Sequence, residues 1–509
     1  MTAAAIEYGP KDSASSLDSP ARRRRYRTVV LAIVAVGVIC RLVQFLHNPS
    51  LWHDEALVTL NVMHRSYGQL ARPLDYEQAA PPAFLWAERA LLRTFGFSEY
   101  TLRAVSLVCG IGTLVLAARL GWRLLPPPVA ACVTTLFALC DKLIWHSAEV
   151  KQYSCDAFAA LLLFSVAVGL GRPASAAARF GLLCCVAAAM VWCSFPAVFV
   201  FAALSITFLP QVMRERRTGV VLYLLGNFLV CGSFAALYWL SVRGHAGYLD
   251  EYWAEHFVPW SRPWAAPVWL VREIYHLCDH PYRSFGWLVL PVAVLGAVHL
   301  VRTGRARLLW AFAGPMFFCL LAAALHKYPF TGDRITIFLV PGLLLLFGFG
   351  IEWFAETHWR WWAVVPLPMV VAGTCLAGYH LVVPHSRSAI RPVVQYLRAH
   401  RQPGDAIYLV GEGGTPDKPS VNGRNLELLC YWPDADRDGP VHRTLPDVRA
   451  MPERRFWIVF AALPEHGTRL MDPLLREARK TGAQIDQKVV RGGGAFLFDR
   501  SRPAYDVGS

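Results

Sequence analysis

Charge is scarce in this chain: of its 509 residues only 17% are Asp, Glu, Lys or Arg, while 55% are hydrophobic. The apolar residues fall in long blocks, not in the short alternating runs of a soluble core, which excludes an ordinary soluble globule and points to a polytopic membrane protein. A small-residue cleavage site is also missing after the first block, 28–46, so the block reads as a retained span and not as a signal peptide. No disulfide framework or zinc spacing is visible. Eleven of the thirteen cysteines lie in apolar blocks, where Cys behaves as a small hydrophobe, leaving Cys278 and Cys430 in segments expected to be aqueous. The glycine-rich stretch VGEGGTPDKPSVNG lacks the spacing of a Rossmann or P-loop motif, so no nucleotide is assigned.

The formal net charge is +14, yet the Lys and Arg residues sit mainly between apolar blocks, which argues against a nucleic-acid partner. A span needs about 20 mostly apolar residues. Eleven candidates meet that need, at 28–46, 101–122, 128–145, 154–170, 180–194, 196–211, 219–242, 285–301, 308–325, 334–354 and 361–382. Arginine-rich clusters at 22–27, Arg119 with Arg123, Arg172 with Arg179, 214–217, 302–307 and 358–360 fall on every second connection. By the positive-inside rule the N-terminus is then cytoplasmic and the C-terminus outside. This assignment depends on keeping 180–194 and 196–211 apart at Pro196, since one kinked span there inverts everything downstream.

The expected organisation is a disordered cytoplasmic tail over 1–27, a transmembrane domain over 28–382 with long outer loops at 48–100 and 243–284, and an extracytoplasmic α/β domain over 383–509. The first loop holds two amphipathic helical patterns, Leu57 to Leu70 and Ala83 to Phe95, suited to helices in the interface. The second is rich in Trp and Tyr, as at headgroup level. The terminal segment reads as helix, Pro-Gly-Asp turn, strand, then strand, helix and a closing strand pair.

Carboxylates gather where these outer loops meet the bilayer. SLWHDEALVTL places Asp54 and Glu55 just after the first span; the bland reading is a helix-dipole role in the first turn of an interfacial helix. The same loop continues with DYEQAAPPAF, carrying Tyr76 and Gln78 before a Pro-Pro that starts a helix. A second connection, WHSAEVKQYSCD, sets Glu149, Lys151 and Tyr153 in one short turn. A third, HKYPFTGDR, adds Lys327, Asp333 and Arg334. Carboxylates and cations at one depth suit a substrate with its phosphate at the headgroups and its lipid tail in the bilayer: cations hold the phosphate while a carboxylate takes a proton from an incoming hydroxyl. Tyr153 equally suits an interfacial anchor. His53, His146 and His326 are read as hydrogen-bonding groups, so no metal is assigned to them, although a divalent cation stays open. Asp141 and Lys142, inside the third span, either line a cavity or pair with each other.

In order and topology, LWHDEA after a span, then YEQAAPP, then SAEVKQYSCDAFAAL resemble the bacterial members of the dolichyl-phosphate-mannose protein mannosyltransferase and aminoarabinose transferase superfamily, the GT-C membrane glycosyltransferases. The resemblance runs from about 28 to 345, and the last segment resembles the outer soluble domain of many members. It implies that Asp54 is a general base, with Glu55 its catalytic neighbour. The family's second loop commonly reads Glu-x-Arg-x-Tyr, matched by Glu149, Lys151 and Tyr153. Lys in place of Arg departs from that pattern and removes a bidentate fork, for which Arg334 is the better candidate. The remaining substrate-binding assignments are His53, Tyr76 and Gln78.

The expected function is inverting transfer of a sugar from a polyprenyl-phosphate donor to a hydroxyl on a lipid, glycan or protein acceptor, at the outer face of a bacterial cytoplasmic membrane. Two other classes fit parts of the pattern. A transporter or flippase of lipid-linked sugars shares an ionic vestibule, but no repeat is visible and the polar groups gather at one surface. A non-catalytic family member serving as an assembly subunit has no need of Asp54, Glu149 and Lys151.

Overall fold

The computed structural model describes residues 20–169, 175–245, 252–357, 362–387, 389–410, 427–442, 448, 451–460, 468–490 and 493–503. Residues 1–19, the glycine-rich stretch after Val410 and the basic cluster at 358–360 lie outside the described residues, while 20–27, expected to belong to a disordered tail, form the first turns of helix Pro20–His47.

Among the described residues five helices are long and apolar enough to cross a membrane: Pro20–His47, Glu99–Leu124, Arg217–Val242, Ala306–Ala324 and Arg334–Thr357. Six shorter apolar helices, Pro127–Leu139, Tyr153–Val168, Ala176–Met190, Ala197–Val212, Gly286–Arg302 and Leu367–Val382, complete a set that matches the eleven expected spans. Burial orders them. Most of 334–357 is enclosed by its neighbours, whereas few residues of 217–242 are buried. Proline and serine set several helix starts, with Pro82 and Pro127 at first helical positions and Ser98 accepting from the Thr101 amide. Pro196 is the N-cap of 197–212, and a turn at 191–194 separates that helix from 176–190, as the arginine pattern requires.

Close approach holds the interior together. Gly296 and Gly350 let helices 286–302 and 340–357 cross in backbone contact, for a Cβ on Gly296 would lie 2.0 Å from the Leu346 carbonyl oxygen. Arg41, fully buried in the first span, donates from Nη1 to the carbonyls of Gly37 and Ala138 (2.9 and 3.3 Å) and from Nη2 to that of Phe137 (3.1 Å). It thus satisfies carbonyls at the C-terminal end of helix 127–139, where a cation also complements the helix dipole. That helix ends at Cys140, whose ψ of 106° is extended, and Asp141 opens a separate short helix, Asp141–His146. Asp141 and Lys142 therefore stand beyond the span in which the hydropathy had enclosed them.

The first-loop helix differs from expectation. It is split into His53–His64 and Tyr67–Leu70, and the first of these has every residue from Glu55 to Val62 buried, so it is no interfacial helix. The terminal domain covers it: Cys430 in helix Glu427–Tyr431 donates to the Ala56 carbonyl at 3.4 Å, and the Tyr431 hydroxyl accepts from the Leu51 amide at 2.8 Å. Cys278 and Cys430 are both buried, not in contact with water as their segments suggested, because the outer segments pack on one another. Helix Pro82–Phe95 does match its pattern, and in the second long loop Trp260 and Trp264 are exposed.

The terminal domain carries strands β1 Ala406–Val410, β2 Val441–His442, β3 Arg455–Phe460, β4 Ala483–Val490 and β5 Gly493–Asp499, in the order β2-β1-β3-β5-β4. β1 runs parallel to β2 and β3, while β5 is antiparallel to β3 and β4. Alternation assigns the faces: Ile407, Leu409, Trp457 and Val459 pack with Val393 and Leu397 of helix Ile390–His400. Tyr408, Phe456 and Ile458 meet Leu475 and Ala478 of helix Thr468–Thr481 on the other face. The result is a three-layer unit with a helix on each face of the sheet; its α/β composition is as the sequence pattern predicts, and β2 is the unforeseen strand.

Candidate active site

Three connections far apart in sequence converge at one end of the bundle, and Asp54 and Glu55 take different places there. Glu55 is 1% exposed and spent on the fold. It forms a bidentate pair with Arg103 (Nε 3.0 Å, Nη2 2.8 Å) and accepts from the amides of Val150 at 2.8 Å and Trp52 at 3.2 Å. The Val150 bond ties the first loop to the second. The Trp52 bond closes the first turn of helix 53–64 in the manner of a capping box.

Asp54, one residue earlier, is only partly buried and faces Arg334, with Oδ2 3.2 Å from Nη2. Arg334 opens a 3₁₀ turn, Arg334–Leu339, ahead of the central helix 340–357, which fixes the guanidinium at the bundle end. Its guanidinium also lies 5.5 Å from the Trp52 ring and 5.9 Å from that of Tyr153, so the third loop meets both others at this one side chain.

Lys151 is buried, and its Nζ donates to Gln78 Oε1 at 2.8 Å, joining the YEQ and EVKQY stretches. Burial lowers the pKa of its ammonium, an effect opposed by the Asp54 carboxylate. Glu149 is buried with Oε2 2.7 Å from Nδ1 of His146, while its other oxygen and His146 Nε2 have no hydrogen-bond partner among the described residues. Burial opposes its ionisation, but His146, with Arg387 and Arg334 behind it, holds the Glu149 carboxyl below the usual range. Tyr153, first residue of helix 153–168, sets its ring 5.0 Å from His146. His280 stacks on the far side of His146 and approaches Asp333 at 3.5 Å.

Other expected residues lie at the margin. Tyr76 is exposed with a left-handed φ of 61°, and Gln78 Nε2 donates to its carbonyl at 3.3 Å. Asp75 is committed to a fork from Arg65 at 2.8 and 2.9 Å. His53 is half-buried beside Asp54 in the same first turn. Lys327 is exposed in the turn that closes helix 306–324, and His326 contacts the Val258 carbonyl at 3.2 Å, so both serve loop structure. Among the described residues two groups of three ligand-type side chains converge, Asp141 with His380 and His385, and His299 with Glu352 and Glu356. His53, His146 and His326 belong to neither.

Two arginines were not foreseen. Arg103 sits inside the second span and carries no motif. Arg387, in the segment after the last span, is held between the rings of Trp52 and Trp145 at 4.2 and 4.3 Å, beside the Asp54–Arg334 pair. Only its position just past an apolar block hinted at a place near the headgroups.

No protein-family model matches this sequence, and no curated protein matches it either. Solved structures do. ArnT from Cupriavidus metallidurans bound to undecaprenyl phosphate superposes with a TM-score of 0.51 at 12% identity, over 92% of this chain and 97% of that one. The same protein in the apo state gives 0.44 at 13% identity, over 93% and 98%. The Archaeoglobus fulgidus oligosaccharyltransferase in complex with Zn and sulfate gives 0.43 at 11%, over 74% and 60%. Eleven apolar helices, long polar loops at one end and a terminal α/β unit, arranged as in the first of these, give this chain the fold of the GT-C membrane glycosyltransferases.

Proposed function

We propose that this protein is an inverting glycosyltransferase that uses a polyprenyl-phosphate-linked sugar, with Asp54 as the base. The observation that carries the reading is the contrast within the pair: Glu55 is buried and saturated by four N–H donors, while Asp54 stays accessible with a guanidinium 3.2 Å away. The undecaprenyl phosphate held by the similarly folded ArnT supports the donor class.

In the step itself, the acceptor hydroxyl gives its proton to an Asp54 oxygen as its own oxygen bonds to the anomeric carbon. The bond from that carbon to the phosphate oxygen breaks on the opposite face, and the electron pair leaves with the polyprenyl phosphate. Before donor arrives Arg334 is paired with Asp54; a phosphate competes for the same guanidinium, so donor binding turns Arg334 towards the leaving group and frees Asp54 for the hydroxyl. Lys151, held by Gln78, adds a second positive charge, and Arg387 a third at the aromatic rim. His53 and Tyr76, partly exposed at this end, are assigned to the substrate surface. We assign this end and the terminal domain to the outer face of a bacterial cytoplasmic membrane, because the arginine-rich connections lie at the other ends of the helices. The acceptor is a hydroxyl of a lipid, glycan or protein.

Transfer of labelled sugar from polyprenyl phosphate by purified protein tests the reading. Asp54→Asn should lose about 10²–10⁴-fold in rate, the usual contribution of a general base. Wild-type transfer by that variant would remove Asp54 from the role.

A further inference from the structure

We propose that Asp141, His380 and His385 bind a divalent transition-metal ion of the zinc class, separate from the Asp54 site and independent of the function proposed above. Asp141 begins the short helix 141–146; His380 ends the last apolar helix, and His385 follows in the segment leading to the terminal domain. The Asp141 Oδ1 atom lies 2.7 Å from His385 Nε2 and 3.7 Å from His380 Nε2, and the three donor atoms all fall within 4.8 Å of one another. The side chains are 12–18% exposed, enough for an ion to enter and little enough to hold it.

Hydrogen bonding leaves His380 set up to act as a ligand. His380 Nδ1 is 2.8 Å from the Val383 carbonyl oxygen, which only accepts, so Nδ1 carries the hydrogen. In the neutral ring the lone pair is then on Nε2, and it faces a carboxylate oxygen that has no hydrogen to give. That lone pair and the carboxylate oxygen, 3.7 Å apart, are both ligand atoms with room for one cation between them, and the same oxygen meets His385 Nε2 at 2.7 Å. The His380 ring lies with its centroid 3.5 Å from that of His385, which brings both imidazoles to the same carboxylate oxygen. One ion placed there meets the carboxylate and both nitrogens together.

The frame is prepared for it. Val383 fixes the His380 tautomer, in the way a carbonyl partner commonly orients a ligating histidine. The His385 backbone exchanges two hydrogen bonds of 3.3 Å with the Gln44 side chain, and Trp145 lies flat on its ring, 4.7 Å away at 2°. Ligand bonds of about 2.0–2.2 Å in a tetrahedral zinc site put donors roughly 3.4 Å apart. The observed 2.7 and 3.7 Å fall on either side of that, so shifts of about 0.3–0.7 Å complete the site. Two imidazoles and one carboxylate suit zinc, with water in the fourth position. The other converging group, His299 with Glu352 and Glu356, does not fit, because the Arg305 guanidinium already stands 2.8 Å from His299 Nε2 and 3.1 Å from Glu352 Oε1. The ion would fasten the segment after the last span to helix 141–146 and so fix Arg387, two residues beyond His385.

The full chain, purified through a histidine-free tag into nanodiscs and stripped with chelator, is titrated with zinc chloride, and bound metal is counted by mass spectrometry. About one zinc per chain is expected, with affinity reduced at least a hundredfold in His380→Ala and in Asp141→Asn. Cobalt should give the visible absorption of a tetrahedral site in the wild type and lose it in His380→Gln, a variant of similar bulk that guards against misfolding. Less than stoichiometric zinc in the wild type, or equal binding by folded His380→Gln and wild type, overturns the proposal and leaves a hydrogen-bonded His-Asp-His cluster.

Discussion

Replacing Asp54 by Asn and Glu55 by Gln makes the same chemical change at adjacent positions, and the two variants are expected to fail in opposite ways. Glu55 and Arg103 are each 1% exposed, and the Glu55 oxygens face only N–H donors. An amide there leaves Arg103 buried without its counter-charge and points N–H at N–H. Breaking one side of a buried pair costs about 3–5 kcal/mol. Asp54 makes a single 3.2 Å contact, and both partners keep about a fifth of their side-chain surface, so its loss costs on the order of 1 kcal/mol. The assay is thermal or denaturant unfolding in nanodiscs, run beside labelled-sugar transfer normalised to folded protein. Glu55→Gln should unfold far more readily while its folded fraction transfers within about tenfold of wild type; Asp54→Asn should unfold like wild type and transfer about 10²–10⁴-fold more slowly. A Glu55→Gln protein of wild-type stability would refute the structural role given to Glu55, and equal destabilisation by both variants would refute the division of labour.

Arg334→Lys keeps the charge but loses the planar fork, and donor-dependent transfer should drop about tenfold or more, the equivalent of one charge-assisted hydrogen bond; an unchanged rate would show that the fork is not used. The depressed pKa of Lys151 sets the alkaline limit: transfer is full while its ammonium is charged and declines as pH rises through a pKa below the ordinary 10.5. Lys151→Arg should move that decline to higher pH, and an unmoved pH profile would clear Lys151. Glu149, whose pKa is depressed, stays ionised until pH falls below the usual 4.5, so acid loss of transfer above that value belongs to another group. Arg391 joins the terminal domain to Glu99 at 2.6 Å and to the Asn48 carbonyl at 2.8 Å. In Arg391→Ala, amide exchange across helices 427–431 and 53–64 should rise about tenfold or more, and unchanged exchange would show that the domain docks without this arginine.

Much of the architecture was legible because a bilayer imposes length and hydropathy on each span locally. The eleven blocks, the separation at Pro196 and the α/β make-up of the terminal unit all rest on such local patterns. Loops were less legible. Leu57 to Leu70 has the periodicity of an interfacial helix, but the pattern cannot reveal that its first part is buried between the terminal domain and the segments carrying Phe84, Leu102 and Val150. Asp141 and Lys142 fell within an apolar block, yet the chain breaks at Cys140, where Arg41 from another span takes over the carbonyls. The pair at 54 and 55 was visible as a pair, and the roles of its two members were not.

Hydropathy and charge order along the chain were sufficient to establish a membrane protein with its carboxylates and cations on three connections. Partnership was not written there. Glu55 finds Arg103 48 residues away, and Asp141 meets His385 across 244 residues. A carboxylate becomes a brace, a base or a ligand according to how much water it loses and which donors face it, and both follow from packing between segments that have no proximity in the sequence.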